Sequence, residues 1–115
     1  MDDVSVERSA PLISVAEIRE RVRAHARGGR VIRAIVFGSF ARGDADASSD
    51  IDLVLIEPTS DSFVERGLRH LALFDLGVGV DLLVYTPEEY ERLQREKNPL
   101  IERIESEGVT LYARS

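Results

Sequence analysis

Residues 38–52 read GSFARGDADASSDID and connect two short apolar segments of the chain. The segment before them, VIRAIVF at 31–37, is rich in β-branched residues and predicts a strand. The segment that overlaps their end, DIDLVLI at 50–56, predicts a second strand. Pro58 ends that strand because proline cannot donate a hydrogen bond to a sheet. The polar residues in between are therefore a connection from one strand to the next.

The rest of the chain alternates between helical and extended patterns. Ser14 and Glu17 form a capping-box pattern, which predicts a helix over 15–27. The other predicted elements are a helix from Ser62 to Gly77, a strand at 79–85, a helix at 87–96, a helix from Asn98 to Gly108 and a strand at 109–112. This order predicts an α/β (α+β) fold, with a mixed sheet of about four strands packed by helices.

The predicted helix after Ser62 has a regular apolar pattern. Its apolar residues Val64, Leu68, Leu71 and Phe74 recur on one helical face. Ser62 and Glu65 supply a second capping-box pattern at its start. The sequence therefore predicts an amphipathic α-helix here, and such helices turn their apolar face toward the core.

The composition is that of one soluble globular domain. The chain has 115 residues, a net charge of −6, 43% hydrophobic residues and no cysteine, which excludes disulfide scaffolds and thiolate metal sites. No apolar run approaches the roughly 20 residues of a membrane span, and the first residues are acidic, so we expect a cytoplasmic protein without a membrane partner. A pI near 4.9 argues against direct nucleic-acid binding. We expect an N-terminal arm at 1–12 and the domain at 13–115.

Gly38 and Ser39 are candidates for binding a phosphate group. Gly38 directly follows the first predicted strand, and glycine lets the backbone turn and approach a ligand closely. Ser39 could cap a short helix whose free amide groups would face an anion. Together the two residues predict a cradle for a phosphate.

Three aspartates are the candidate metal ligands. Asp50 and Asp52 lie two residues apart on a strand, so both carboxylates leave the same face. Asp81 interrupts the apolar third strand, where a lone charge is costly to desolvate unless it is paired or metal-bound, and a neighbouring strand would bring it to the other two. We expect Mg²⁺, because proteins hold it with one or two carboxylates and substrate phosphates. This layout suits in-line displacement at a nucleotide phosphorus.

Two other binding motifs are excluded. Residues 44–55 begin like a calcium-binding EF-hand loop, but Ser49 and Leu55 stand where that loop needs glycine and a bidentate glutamate. Residues 38–45 have the glycine spacing of a P-loop, but acidic and apolar residues replace the lysine and the Ser/Thr that grip phosphate and magnesium.

Taken together, the candidate residues resemble a known family. Ten residues separate Gly38-Ser39 from Asp50-x-Asp52, and Asp81 follows on a later strand. This pattern resembles the nucleotidyltransferase superfamily that shares the polymerase-β catalytic core. The Arg-Gly pair at 42–43 also matches the family's usual residues. In length the chain is similar to the minimal nucleotidyltransferases, stand-alone domains often encoded beside a HEPN-family ribonuclease toxin and acting as its antitoxin. The resemblance covers about 14–113.

The resemblance implies a fold, an activity and a role for each residue. It implies a polymerase-β-like core that transfers AMP from ATP to a tyrosine of a HEPN toxin and thereby silences it, with Mg²⁺ as cofactor and an oligomer with the toxin as a possible assembly. By position in the motif, Gly38 and Ser39 bind the nucleotide phosphates, with Arg42 as a further candidate. Asp50, Asp52 and Asp81 would then be the catalytic metal ligands.

Other interpretations stay open at this level. The chain could be a non-catalytic antitoxin that only covers its partner, or it could transfer a nucleotide to a small molecule, although 115 residues leave little room for a domain that encloses such an acceptor. Asp50 and Asp52 could be a solvated strand end. Asp81 could be a buried ion-pair partner or the general base for the incoming hydroxyl. Arg42 could neutralise triphosphate charge or be solvated on the short helix.

Overall fold

A computed structural model of the chain describes residues 9–114. Its elements are α1 (Val15–Ala26), β1 (Arg33–Phe37), α2 (Ser39–Arg42), β2 (Ile51–Ile56), a 3₁₀ helix (Phe63–Phe74), β3 (Val80–Tyr85), α3 (Pro87–Arg95), α4 (Pro99–Glu107) and β4 (Val109–Ala113). The four strands form one sheet in the order β3-β2-β1-β4, in which β2 and β3 are parallel and the other pairs antiparallel. The predicted α+β fold with a mixed four-stranded sheet is confirmed. Residues 1–8 of the expected arm lie outside the described residues.

Side-chain capping fixes the start of a helix at three places. Ser14 and Glu17 form a complete capping box at α1, and Thr86 forms the same box with Glu89 at α3. At α4 the Asn98 side chain accepts hydrogen bonds from the backbone amides of Leu100 and Ile101. These local signals fix the helix boundaries close to their predicted positions.

The sheet separates two hydrophobic clusters. Alternate residues of β2 enter opposite clusters, since Leu53 and Leu55 pack on one face and Val54 and Ile56 on the other. The first face is covered by α1 and the 3₁₀ helix, through Ile18, Val22 and Leu73. The second is covered by α3 and α4, through Tyr90, Ile101 and Ile104. No helix within residues 9–114 has the length and apolarity needed to cross a bilayer.

The segment 63–74 differs from its prediction in type and in orientation. It consists of 3₁₀ turns, with non-helical backbone angles at His70, and Ser62 does not cap its backbone. The predicted inward face is exposed, whereas Arg66, His70 and Leu73 are buried. The expectation that Val64, Leu68, Leu71 and Phe74 face the core was therefore wrong.

Polar contacts explain why this helix turns Arg66 and His70 inward. Both guanidinium Nη atoms of Arg66 donate to the Glu89 carboxylate, at 2.7 and 3.0 Å, and Nη1 also donates to the Val84 carbonyl oxygen at 3.0 Å. His70 Nε2 lies 3.1 Å from the buried Glu57 carboxylate, and His70 Nδ1 lies 2.8 Å from His25 Nε2. Buried charges and buried carbonyl groups require such partners, and this requirement outweighs the apolar spacing.

Replacing Arg66 tests how strongly this anchoring stabilises the fold. Arg66→Met should lower the free energy of unfolding by about 2 kcal/mol, because it leaves Glu89 and the Val84 carbonyl without their partner. Arg69→Met is the control, since Arg69 is half exposed in its ion pair with Asp61, where solvent screens the charges, and its loss should lower the free energy of unfolding less than the loss of Arg66 does. Urea denaturation measures both values, and an equal loss in the two variants would contradict the assignment.

The ion pair of Arg66 with Glu89 makes the stability difference between wild type and Arg66→Met depend on pH. The Arg66 hydrogen bonds hold the pKa of Glu89 at about 2, below its usual 4.5. A lowered pKa in the folded state means that the stabilisation is complete above pH 4.5 and is lost as the pH falls toward 2. The difference between wild type and Arg66→Met should therefore shrink over that acidic range.

Candidate active site

Asp52 and Asp81 occupy matching positions on the parallel strands β2 and β3. Side chains at matching positions leave the same face of a sheet, so the two carboxyl groups lie beside each other, close enough for Asp81 to raise the pKa of Asp52. Asp52 is half-buried, whereas Asp81 is exposed on the edge strand. The argument that Asp81 carries a desolvated charge was therefore wrong, but its predicted proximity to Asp52 is confirmed.

The pKa of Asp52 is raised above its usual value. Burial is the largest cause, followed by the negative charge of Asp81 and the hydrogen bond with it, and then by the charge of Asp50. Arg42 acts in the opposite direction and lowers this pKa. Two carboxylates in contact are stabilised by a shared proton or by a cation bound between them. The pair therefore has the electrostatic character of a cation site.

Asp50 stands beside this pair, directly before β2. Its carboxylate lies against the backbone of Gly79, where a Cβ atom would overlap Asp50 Oδ1. Gly79 was not among the predicted site residues. Its signal in the sequence is its position next to an apolar strand, where glycine marks a close approach of another group to the backbone.

Gly38 serves both the turn after β1 and the carboxylate pair. It is the N-cap residue of α2 with φ 74° and ψ −150°, a conformation that favours glycine. A Cβ atom at Gly38 would also overlap Asp52 Oδ2. The absence of a side chain thus lets β1 turn and leaves room for the Asp52 carboxylate.

Ser39 does not cap the short helix, which corrects the predicted role. Gly38 is the N-cap, no side chain caps α2, and Ser39 is its first residue. The Ser39 side chain is half-buried. Its hydroxyl makes no hydrogen bond with any residue from 9 to 114. Its hydroxyl, next to the N-terminal amides of α2, can still bind a ligand.

Arg42 ends α2 and carries a positive charge that acts on the pair. Its exposed side chain places Nε 3.4 Å from Asp44 and Nη1 3.7 Å from Glu107. The same charge lowers the pKa of Asp52, so Arg42 acts on the carboxylate pair as well as on its own ion-pair partners. Glu107 was not predicted as a neighbour of the site, because it lies at the end of a helix distant in sequence.

The donor set fits a hard divalent cation. Asp52 and Asp81 present adjoining carboxylate oxygens, the ligands that Mg²⁺ prefers, and Asp50 is next to them. As the side chains stand, however, no three His, Asp or Glu residues in the described part of the chain converge on one point. The structure thus pairs two of the predicted ligands with the third alongside, and the three-ligand assignment stays a prediction.

Comparisons with known proteins give the same family as the motif. The family model of the nucleotidyltransferase domain matches residues 15–79. A search of curated proteins gave no match. Among solved structures, a toxin-antitoxin crystal structure with AMP-PNP is similar over 84% of this chain and 74% of that one, with 19% identity and a TM-score of 0.63.

Two further solved structures have the same fold. A mutant of the toxin-antitoxin MntA-HpeT is 19% identical over 90% of this chain and 75% of that one, with a TM-score of 0.58. The tri-AMPylated Shewanella oneidensis HEPN toxin in complex with its MNT antitoxin is 17% identical over 84% of this chain and 71% of that one, with a TM-score of 0.56. These similarities concern the fold.

Neutralising Asp81 tests the electrostatic coupling of the pair. Asp81→Asn should lower the pKa of Asp52 toward its usual 3.8, because the neighbouring negative charge is removed while burial remains. NMR titration of the side-chain carboxyl carbons measures this shift. Asp75→Asn, at an exposed position that does not act on Asp52, is the control and should leave the titration unchanged. An unchanged pKa in Asp81→Asn would show that the two groups are not coupled.

Adding a methyl group at Gly79 tests the placement of Asp50. Gly79→Ala should displace the Asp50 carboxylate and weaken Mg²⁺ binding by about tenfold, the lower range for a disturbed ligand environment. Gly67→Ala is the matched control, since a Cβ atom there meets nothing within 4 Å. Isothermal titration calorimetry gives both affinities. Equal Mg²⁺ affinity in the two variants would exclude Asp50 as a ligand.

Proposed function

The chain belongs to the nucleotidyltransferase domain family, and we propose that it transfers AMP from ATP to a tyrosine hydroxyl of a HEPN-family toxin and thereby acts as an antitoxin. The observation that carries the proposal is the pairing of Asp52 with Asp81 beside the Gly38 turn. Two similar structures support the choice of nucleotide and acceptor, since one contains AMP-PNP and the other an AMPylated HEPN toxin.

In this proposal the turn after β1 binds the triphosphate. The glycine at position 38 lets the backbone approach the phosphates, and the amides and hydroxyl at the start of α2 would donate hydrogen bonds to them. Arg42, at the other end of the same short helix, would offset phosphate charge. Binding of ATP would therefore replace part of the Arg42 pairing with Asp44 and Glu107.

The carboxylates would hold Mg²⁺ and orient the reacting groups. Asp52 and Asp81 are the ligands that the geometry favours, with Asp50 as the third. When bound, the ion neutralises negative charge on the phosphates and on the oxygen that leaves. Because the pKa of Asp52 is raised, protons compete with the cation for this carboxylate at acidic pH, and the affinity for Mg²⁺ should fall there.

The transfer is a single displacement at phosphorus. The acceptor oxygen forms a bond to the α-phosphorus of ATP, the bond from that phosphorus to the bridging oxygen breaks, and pyrophosphate leaves with the electron pair. Asp81 is exposed on the edge strand, where a protein acceptor can reach it, and we propose that it accepts the proton of the hydroxyl. The product is a tyrosine carrying AMP.

Radiolabelled ATP tests this function directly. The chain, Mg²⁺ and a HEPN-family toxin encoded beside it should yield a labelled toxin, and Asp50→Ala with Asp52→Ala should reduce the labelling at least about a hundredfold. Glu91→Ala with Glu102→Ala is the control, because it removes two exposed carboxylates of α3 and α4 and should leave labelling intact.

Three outcomes of the same experiment separate the alternatives. Label transfer that survives the Asp50 and Asp52 changes would refute the catalytic assignment. Inhibition of the toxin by that double variant without ATP would instead identify a non-catalytic antitoxin. Label on small acceptors such as aminoglycosides, with none on protein, would identify a small-molecule nucleotidyltransferase.

A further inference from the structure

Two histidines and a glutamate form a hydrogen-bonded chain between the 3₁₀ helix, α1 and the sheet. Glu57 follows β2, His70 lies in the 3₁₀ helix, and His25 lies in the last turn of α1. His70 Nε2 is 3.1 Å from the Glu57 carboxylate, and His70 Nδ1 is 2.8 Å from His25 Nε2. Glu57 and His70 are buried, and His25 is half-buried. The three residues, called the histidine chain below, thus join three separate parts of the fold.

The geometry of the histidine chain limits how many protons it can hold. An ionised carboxylate only accepts hydrogen bonds, so His70 Nε2 donates to Glu57. At 2.8 Å, His70 Nδ1 and His25 Nε2 share one proton, because one nitrogen must donate while the other accepts. A further proton fits on His25 Nδ1. When both rings carry two protons each, however, two N–H groups point at each other and the contact becomes repulsive.

Charged groups from neighbouring elements surround the histidine chain. Arg66 and Arg69 of the 3₁₀ helix both interact electrostatically with Glu57, and Arg69 is also paired with Asp61. Arg69 and Arg30, which follows α1, line an open cavity of about 230 Å³ together with the histidine chain. Solvent can therefore deliver protons to the rings, whereas the arginines oppose a second positive charge on them.

The pKa of the His25 ring is lowered from its usual 6.5. Burial is the largest cause and the charge of His70 the next, whereas Glu57 acts in the opposite direction. Arg21 of the same helix borders a neighbouring groove with His25 and adds positive charge there. A lowered pKa in the folded state means that the stabilisation is complete above pH 6.5 and is lost as the pH falls below that value.

The 3₁₀ helix has a separate anchor on each side of a break. The backbone angles of His70, φ −122° and ψ 28°, are non-helical and divide the helix into two runs. Arg66 anchors the first run through Glu89 and the Val84 carbonyl oxygen. The second run is anchored by His70 itself and by Leu73, which is buried in the core. The second run can therefore detach while the first stays in place.

We propose that the histidine chain is a pH-sensitive contact, which holds residues 70–74 against α1 while the two rings share a proton and releases them when both rings are fully protonated. The inference does not depend on the proposed activity. Residues 75–79 alone separate this run from β3, the strand that carries Asp81. Acidification would therefore act on the segment that leads into the candidate site.

Hydrogen exchange of backbone amides tests the proposal. From about pH 7.5 to about pH 5, after correction for intrinsic exchange rates, the amides of residues 72–75 should lose protection by about tenfold or more. The reason is that a released ring regains its ordinary pKa of 6.5 and binds a proton. The amides of residues 66–68 should keep their protection, because their anchor depends on Glu89, whose pKa is about 2.

His25→Gln removes the titration and keeps the contact. The glutamine amide can still donate to His70 Nδ1 but binds no proton, so the loss of protection at pH 5 should shrink to about a third or less. Arg27→Gln is the matched control, because it changes an exposed side chain at the end of the same helix and should keep the wild-type pH dependence. Nitrogen-15 NMR of the imidazole rings gives a second measurement, in which His25 should titrate below pH 6.5. The chain has two histidines, so one variant assigns both signals.

Four results would overturn the proposal. Equal protection of residues 72–75 at both pH values would show that nothing is released. An equally large loss at residues 66–68 would indicate general acid unfolding. A folded His25→Gln variant with the wild-type loss would place the titrating group elsewhere. Titration of His25 at or above pH 6.5 in the wild type would contradict the limit on protons, even if the variant did not fold. Failure of AMP transfer has no bearing on any of these results.

Discussion

Parallel pairing of β2 with β3 is the constraint on which the site depends. It sets Asp52 opposite Asp81 and so holds two like charges in contact, an arrangement that costs free energy without a proton or cation. The surrounding backbone is adapted to these carboxylates, since Gly38 and Gly79 leave space that a Cβ atom would fill. Arg42 offsets part of the charge from the end of the short helix. A shift in the register of β2 and β3 would separate Asp52 from Asp81, and the space at the two glycines and the charge of Arg42 would then no longer act on a carboxylate pair.

Apolar core residues and the candidate site residues of β2 lie on the same face of the sheet, at different ends of the strand. The helices α3 and α4 cover the later residues of β2, Val54 and Ile56, and leave Asp52 half-buried and Asp50 exposed at its start. A strand that is apolar along most of its length can therefore carry ionisable groups at one end. The hydrophobic clusters stabilise the strands, while solvent and ligands keep access to the carboxylates.

The sequence was informative where the interactions are local and less so where they are tertiary. Capping boxes, glycines and β-branched runs predicted the strands and most helix boundaries, because their physics acts within a few residues. The proximity of Asp81 to Asp52 followed from the expectation of adjacent strands. The orientation of the 3₁₀ helix did not follow, because it depends on Arg66 meeting Glu89 from a distant helix start. The contact of Gly79 with Asp50 likewise requires knowing which loop passes beside which strand end.

The position of β3 at the sheet edge has a consequence for the dynamics of the chain. β3 has one hydrogen-bonded neighbour, whereas β2 has two, so β3 can detach in a local fluctuation while β1, β2 and β4 remain joined. Such a fluctuation would separate Asp81 from Asp52 without global unfolding. Backbone amides of β3 should then exchange with deuterated solvent faster than those of β1, and a cation bridging the two strands would slow that exchange. Cation binding and the attachment of β3 to β2 are therefore thermodynamically coupled, so each stabilises the other.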